Sequence, residues 1–245
     1  MTIKLYQIFH SKMKKNGSFF SRLFRFIRIA IYTFFISSIL MVILYRFINP
    51  PVTPLMLFRC AEQVIDGKSL KMNKKWVPIN QISPNLQTAV IASEDIHFLT
   101  HFGFDIEAIQ KANELNKKGR KIHGASTITQ QTAKNVFLWP GRDWIRKGVE
   151  AYFTLLIETF WSKQRIMEVY LNVIEMGDGV YGAQAASMVY FGKDASQLTK
   201  EQAALIAAVL PNPRKWHPDS PSSYIQRKKN RILNVMYKTG RIEFK

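Results

Sequence analysis

The chain has 245 residues, 47% of them apolar, with 35 Lys+Arg against 17 Asp+Glu and a formal net charge of +18. That apolar content excludes disorder as the main state and suffices for one membrane segment plus one globular domain of roughly 200 residues. A single cysteine excludes a disulfide framework and a Cys-based zinc site, and the excess charge asks for an anionic partner: nucleic acid, a phosphate-bearing substrate or an acidic membrane surface.

Residues 1–28 carry Lys4, Lys12, Lys14, Lys15, Arg22, Arg25 and Arg28 and no acid. Residues 29–45 carry no charge, and Arg46 closes the run. As a helix this run spans roughly 25 Å at 1.5 Å per residue. Phe26, Ile27, Phe47 and Ile48 extend it, and Arg28 and Arg46 can snorkel to the two interfaces. The pattern predicts a cytoplasmic basic tail over 1–28 and a retained transmembrane signal anchor over 29–48. A cleaved signal peptide would need a shorter apolar run and a small-residue cleavage site. The exit Arg46-Phe47-Ile48-Asn49-Pro50-Pro51 offers neither. The positive-inside rule then sets the N-terminus in the cytoplasm and the large domain on the outer, periplasmic face of the cytoplasmic membrane. That placement removes nucleic acid as the target of the charge.

Residues 49–82 read as a connector, stiffened by Pro50, Pro51 and Pro54. Residues 70–82 have weak strand character. The globular domain is predicted over 83–245 and reads as mainly α. Ser83 suits an N-cap and Pro84 a first helical position, so a helix leads straight into Glu94. Asp105 can cap a helix over 106–115. A 3.6-residue stripe of Val149, Tyr152, Phe153, Leu156 and Phe160 marks the next. Ile166, Val169, Tyr170 and Val173 mark another. Thr199 and Gln202 form a capping-box signature ahead of a helix that Pro211 stops. A last helix covers residues 222–238.

Four polar stretches are denser than packing requires. The first holds Glu94 and Asp95 at the end of an apolar helix, followed by His97, Phe98, His101 and Gly103. A carboxylate there can be partly withdrawn from water, the setting a general base needs. His97 and His101 have i, i+4 spacing, but no Glu stands between them as in a zinc-protease helix. The second runs over residues 124–135 and carries Ser126, Thr127, Thr129, Gln130, Gln131, Thr132 and Asn135, with Lys134. Such a run can donate many hydrogen bonds to a sugar or phosphate. The third is Arg146, Lys147 and Glu150, where Arg146 and Glu150 share a helix face. It reads as a phosphate clamp with an acid beside it, or as a surface ion pair worth little. The fourth holds Gly177, Gly179 and Gly182, either a ligand loop or a tight interhelical turn.

Together these residues resemble the peptidoglycan glycosyltransferase domain of glycosyltransferase family 51, which also forms the N-terminal half of class A penicillin-binding proteins. Its first motif is matched by Glu94, Asp95, Phe98, His101 and Gly103. Its second is matched by Gly124, Ser126, Thr127, Gln130, Gln131, Lys134 and Asn135, and its third by Arg146, Lys147 and Glu150. The fourth corresponds to Lys163, Ile166, Tyr170, Leu171, Asn172, Gly177, Gly179 and Gly182. The fifth corresponds to Glu201, Ala203, Ala204, Leu210, Pro211, Asn212 and Pro213. All five occur in order over about half the chain. The monofunctional biosynthetic form fits best, because the sequence leaves no room for a transpeptidase domain after the last motif.

The resemblance implies a mainly α, lysozyme-like fold with a large lobe and a small membrane-proximal lobe. It implies polymerisation of lipid II with inversion, a GlcNAc 4-hydroxyl displacing undecaprenyl pyrophosphate. Glu94 is then the general base, and Glu150 orients cations or assists at the donor. Ser126, Thr127, Gln131, Lys134, Asn135, Arg146 and Lys147 bind substrate. The sequence declares no cofactor. A divalent cation, Mg or Mn, assisting the pyrophosphate is the one candidate, and no ligand cluster marks it. The implied partners are lipid II, the nascent glycan chain, membrane lipids and cell-wall synthesis or division proteins. Two other readings stand beside this one: a lysozyme-like hydrolase or lytic enzyme, and a membrane-tethered lipid II binding protein without catalysis. A hydrolase needs no pyrophosphate clamp, and a binding protein has no need of Glu94 and Glu150 together.

Overall fold

The computed structural model describes residues 2–119, 124–141, 143–240 and 242–244, with residues 2–18 as backbone alone. The chain divides into two compact units, residues 1–45 and 46–245. The first unit is helical and makes up most of α1 (Thr2–Phe47). Within α1, the 29 residues of Phe19–Phe47 contain an 18-residue window with a mean hydropathy of 2.2, and a helix of that length and composition can cross a membrane. The apolar stretch starts ahead of the predicted residue 29, because Phe19, Phe20, Leu23 and Phe24 are interleaved with the arginines.

The second unit is mainly α, as the sequence predicts. Its elements are α2 (Pro54–Ile65), β1 (Asn73–Lys74), α3 (Pro84–Glu94), α4 (Ile106–Lys117), α5 (Ile128–Phe137), α6 (Trp144–Phe160), α7 (Lys163–Val173), β2 (Glu175–Gly177), β3 (Val180–Tyr181), α8 (Ala183–Phe191), α9 (Lys200–Val209) and α10 (Ser223–Thr239). The caps expected from the sequence form. Ser83 starts α3 with Pro84 in the first turn, Asp105 accepts from the Ala108 N–H at 2.8 Å, and Thr199 and Gln202 close a capping box on α9. Each such cap satisfies amide groups that the first helical turn leaves unpaired.

Two helical layers supply the core. In one, α9 packs on α3 and α10 and buries Leu86, Val90, Ile206 and Ile232. In the other, α5 packs against α6 and α7 and buries Ile128, Ala133, Ile157 and Met167. Phe137 stacks on Phe153 with ring centroids 4.5 Å apart. The stripes read from the sequence are therefore core packing, and they aim the polar residues between them into one region.

Two parts of the fold escape the sequence reading. Helix α2 lies inside the stretch read as a connector; Thr53 and Pro54 start it by the same cap-and-proline device that starts α3. The glycine-rich stretch is a hairpin. β3 pairs antiparallel with β2 and parallel with β1, giving the strand order β1-β3-β2. Gly179 has φ +70°, and a Cβ there would lie 2.6 Å from the Lys71 carbonyl oxygen. Glycine thus lets the chain carrying β1 come close enough for the Asn73 N–H to donate to the Gly179 carbonyl at 2.8 Å.

Asn172 holds this side of the molecule together. It is fully buried, accepts from the Val77 N–H at 2.9 Å and donates to the Val77 carbonyl at 2.9 Å. Asn172→Ala is expected to cost about 3 kcal/mol, because both backbone groups of a buried residue lose their partner. Urea denaturation measures this, and an unchanged midpoint would mean that Val77 finds other partners.

Candidate active site

The site begins where α3 ends. Glu94 is its last residue and remains partly exposed. Asp95, next in the chain, turns inward and is 6% exposed. Its carboxylate accepts from the Ile128 N–H at 2.9 Å and pairs with His101 Nε2 at 2.8 Å. The adjacent carboxylates thus divide the work: Asp95 fastens the first stretch to the start of α5, and that contact leaves Glu94 at the surface of a cleft. Gly103 takes part in the same junction. Its carbonyl accepts from the Thr127 hydroxyl at 2.7 Å, its φ is +77°, and a Cβ would lie 2.8 Å from Thr154 Cγ2. Asp95→Ala is expected to destabilise the protein by about 2–3 kcal/mol, the cost of leaving a buried N–H unpaired at a helix start. Thermal unfolding checks this; a wild-type melting curve would show that Asp95 does not fasten the junction.

Helix α5 delivers the next side chains. Gln131, Lys134 and Asn135 lie on successive turns of one face. Gln131 Nε2 donates to Glu94 Oε2 at 2.9 Å, and Gln131 Oε1 accepts from the Tyr170 hydroxyl at 3.2 Å. Burial, with Glu94 and Asp95 nearby, holds the Tyr170 phenol well above the usual tyrosine range, so it stays a donor. The chain Tyr170 to Gln131 to Glu94 orients the carboxylate. Ser93 Oγ donates to its other oxygen at 3.2 Å.

Helix α6 supplies the third group. Glu150 is 3% exposed; one oxygen accepts from Arg146 Nη1 at 2.8 Å and the other from Lys147 Nζ. Lys134 stands within electrostatic reach of Glu150, Arg146, Lys147 and Glu94. Solvent reaches its side chain, yet surrounding protein partly desolvates the ammonium and lowers it from the ordinary lysine range. Glu150 and Glu94 act in the opposite direction, Arg146 and Lys147 in the same one. A desolvated cation beside other cations gains strongly from an incoming anion.

Two cavities meet at this point. One, of about 570 Å³, is lined by Glu94, Asp105, Ser126, Gln131, Pro211 and Lys228 among others. The other, of about 460 Å³, is lined by Arg59, Gln131, Lys134, Asn135, Glu175 and Pro211 among others. Both fall in the size range of small-molecule sites. Gln131 and Pro211 line both, so Glu94 faces one cavity and Lys134 the next.

The structure therefore brings Glu94, Ser126, Gln131, Lys134 and Asn135 to two adjoining cavities, with Lys147 and Glu150 nearby. Three predicted substrate contacts also serve the fold, one of them Asn135, which lines the Lys134 cavity but is 4% exposed and donates from Nδ2 to the Gln131 carbonyl at 2.7 Å. Thr127 lines the Glu94 cavity but is 2% exposed; its hydroxyl caps α5 and donates to Gly103. Arg146 is 8% exposed and bound to Glu150, so its guanidinium braces the cluster from behind. Sequence reasoning missed Arg59 and Glu175 as cavity residues. A signal existed: Glu175 is the lone carboxylate in an otherwise apolar run from Val173 to Met176.

Among the described residues, no group of three or more His, Cys, Asp or Glu side chains is placed to hold a metal ion. His97 is exposed and His101 is engaged by Asp95, so the i, i+4 pair does not converge.

A carboxylate over one cavity and a partly desolvated cation over its neighbour, in a mainly α domain, suit an enzyme that joins two substrates. A family model described as Transglycosylase matches residues 62–237. The chain is 56% identical over 205 residues to a biosynthetic peptidoglycan transglycosylase of Bdellovibrio bacteriovorus, covering 84% of this chain and 82% of that protein. It is 53% identical over 217 residues to the protein of the same description from Caulobacter vibrioides, covering 88% and 92%. It is 52% identical over 215 residues to one from Bacteroides thetaiotaomicron, covering 88% and 87%. The chain belongs to the transglycosylase family, whose domain is lysozyme-like, and its activity is that of a glycosyltransferase in cell-wall synthesis.

Proposed function

We propose that this protein polymerises lipid II into glycan strands at the outer face of the cytoplasmic membrane. The observation that carries this reading is the placement of Glu94 and Lys134 on two cavities that adjoin at Gln131 and Pro211. A polymerase needs two such places, one for the sugar that attacks and one for the sugar that is attacked. The acceptor takes the Glu94 side. Its GlcNAc 4-hydroxyl oxygen bonds to the anomeric carbon of the donor, and its proton passes to the Glu94 carboxylate. The bond from that carbon to the pyrophosphate oxygen breaks, and the electron pair leaves with undecaprenyl pyrophosphate. An α-linked donor thereby becomes a β-1,4 product.

Charge gathers on the leaving oxygens as that bond breaks. Lys134 and Lys147 meet it, Lys147 being held by Glu150, which Arg146 also binds, and fixed cations favour the transition state over the ground state. Ser126 and Asn135 contribute further polar groups along the two cavities. The apolar stretch of α1 anchors the enzyme, with its basic end in the cytoplasm. Because both substrates are lipids, the anchor confines enzyme and substrate to one surface.

Purified cell-wall sacculi separate this reading from the hydrolase. The protein is expected to release no soluble fragments from sacculi, while converting lipid II to polymer that lysozyme digests. Fragment release from sacculi without polymer would favour the hydrolase; tight lipid II binding without turnover would favour the binding protein.

A further inference from the structure

The lining of the Lys134 cavity includes a second charged pair that the proposed mechanism does not use. Arg59 on α2 donates from Nη2 to Glu175 Oε2 at 3.1 Å and from Nη1 to Glu62 at 2.8 Å. Both Arg59 and Glu175 line the cavity. Glu175 is 7% exposed, and its Oε1 is buried without a hydrogen-bond partner, as is Arg59 Nε. The hydroxyl of Tyr181, the cross-strand partner of Glu175, is a third buried atom in the same condition. Buried polar atoms are ordinarily satisfied, and leaving one unpaired is costly. Two of the three, Arg59 Nε and Glu175 Oε1, belong to residues that line the cavity, where a ligand's polar group could meet them.

The chemistry of the pair limits what that group can be. Arg59 Nε can only donate, and the Glu175 carboxylate accepts. A pyrophosphate has acceptors alone and would be repelled by Glu175. A sugar hydroxyl or an acetamido group both accepts and donates, and so matches both atoms at once. Burial raises the Glu175 carboxyl above the usual carboxylate range and Arg59 works against it, as expected for an acid short of one partner. We propose that Arg59 and Glu175 form a saccharide subsite, binding a hydroxyl or acetamido group of the sugar whose pyrophosphate is held at Lys134. This rests on the donor assignment of Lys134.

Two probes separate the subsite from the phosphate clamp: undecaprenyl pyrophosphate, which has no sugar, and lipid II. Binding of each to the full-length protein in detergent is compared for the wild type, Glu175→Gln, Arg59→Lys and Lys134→Ala, with thermal unfolding alongside. Glu175→Gln removes the carboxylate charge and leaves one acceptor oxygen where the acid has two. It is expected to weaken lipid II about tenfold, the scale of a lost hydrogen bond to a charged group, and to leave undecaprenyl pyrophosphate within about twofold. Arg59→Lys removes Nε and is expected to act in the same direction, which covers the case that Glu175→Gln does not fold. Lys134→Ala is expected to weaken both probes; if it weakens neither, the donor assignment fails independently of the subsite. Equal loss of both probes in the Glu175 and Arg59 variants, or no loss of either, would overturn the subsite and leave the pair as a fastening between α2 and β2.

Discussion

Glu94→Gln is expected to lower the rate of lipid II polymerisation by about 10²–10⁴-fold, the range of a lost general base. The fold should survive. Glu94 ends α3 at the cleft and carries no core contact that an amide of the same shape would break, and a Gln oxygen can still accept from Gln131 Nε2, which lies 2.9 Å from the carboxylate. Loss of rate with an unchanged melting temperature is therefore the expected pair of results. Asp95→Asn provides the contrast, since Asp95 is buried and fastens α5, and any loss of activity there should follow loss of stability. Near-normal polymerisation by Glu94→Gln would remove the base assignment.

Lys134→Ala is expected to lower kcat/KM for lipid II by about 10²–10³-fold, as when one fixed donor to a developing anion is removed. Stability should hold or rise. A lysine lowered from its ordinary range by burial and by Arg146 and Lys147 binds its proton more weakly folded than unfolded. Below that lowered range its charge opposes folding, and the penalty is relieved as pH rises through it. Catalysis runs the other way, because the charge that opposes folding is the one that meets the pyrophosphate. Activity should therefore fall on the alkaline side earlier than an ordinary lysine would allow. Lys134→Arg keeps its charge and should move that limb to higher pH. A Lys134→Ala enzyme that loses activity and melting temperature together would indicate a structural role.

The parts of the molecule governed by local rules could be read from the chain. Ser83, Asp105, Thr199 and Ser222 start helices because each meets amides of its own first turn, and such signals need no tertiary context. Thr53 and Pro54 carried the same signal for α2, but the surrounding prolines masked it. The hairpin of β2 and β3 was hidden because its strands are only two or three residues long and its stability comes from Asn73 and Lys74, about a hundred residues earlier in the chain. At the site, residue type identified the chemistry but not which member of each pair performs it. Glu94 and Asp95 look alike in sequence; their roles separate only because Asp95 meets the Ile128 N–H, 33 residues further along the chain. Likewise Thr127 and Ser126 are adjacent hydroxyl residues on one cavity, but Thr127 is buried with its hydroxyl spent as a cap and Ser126 is exposed. Arg59 and Glu175 stayed illegible because their contact joins residues 116 apart in the chain.

The proposed mechanism joins two lipid-linked sugars with loss of pyrophosphate. Its most direct test follows both products in one tube: labelled lipid II is given to the full-length protein in detergent, and released undecaprenyl pyrophosphate is counted against new glycosidic bonds in lysozyme-sensitive glycan. One pyrophosphate carrier released for each bond formed is the predicted result. Release without glycan would mean that water is the acceptor and the protein hydrolyses its donor, and lipid II bound by a folded protein with neither product would contradict catalysis altogether.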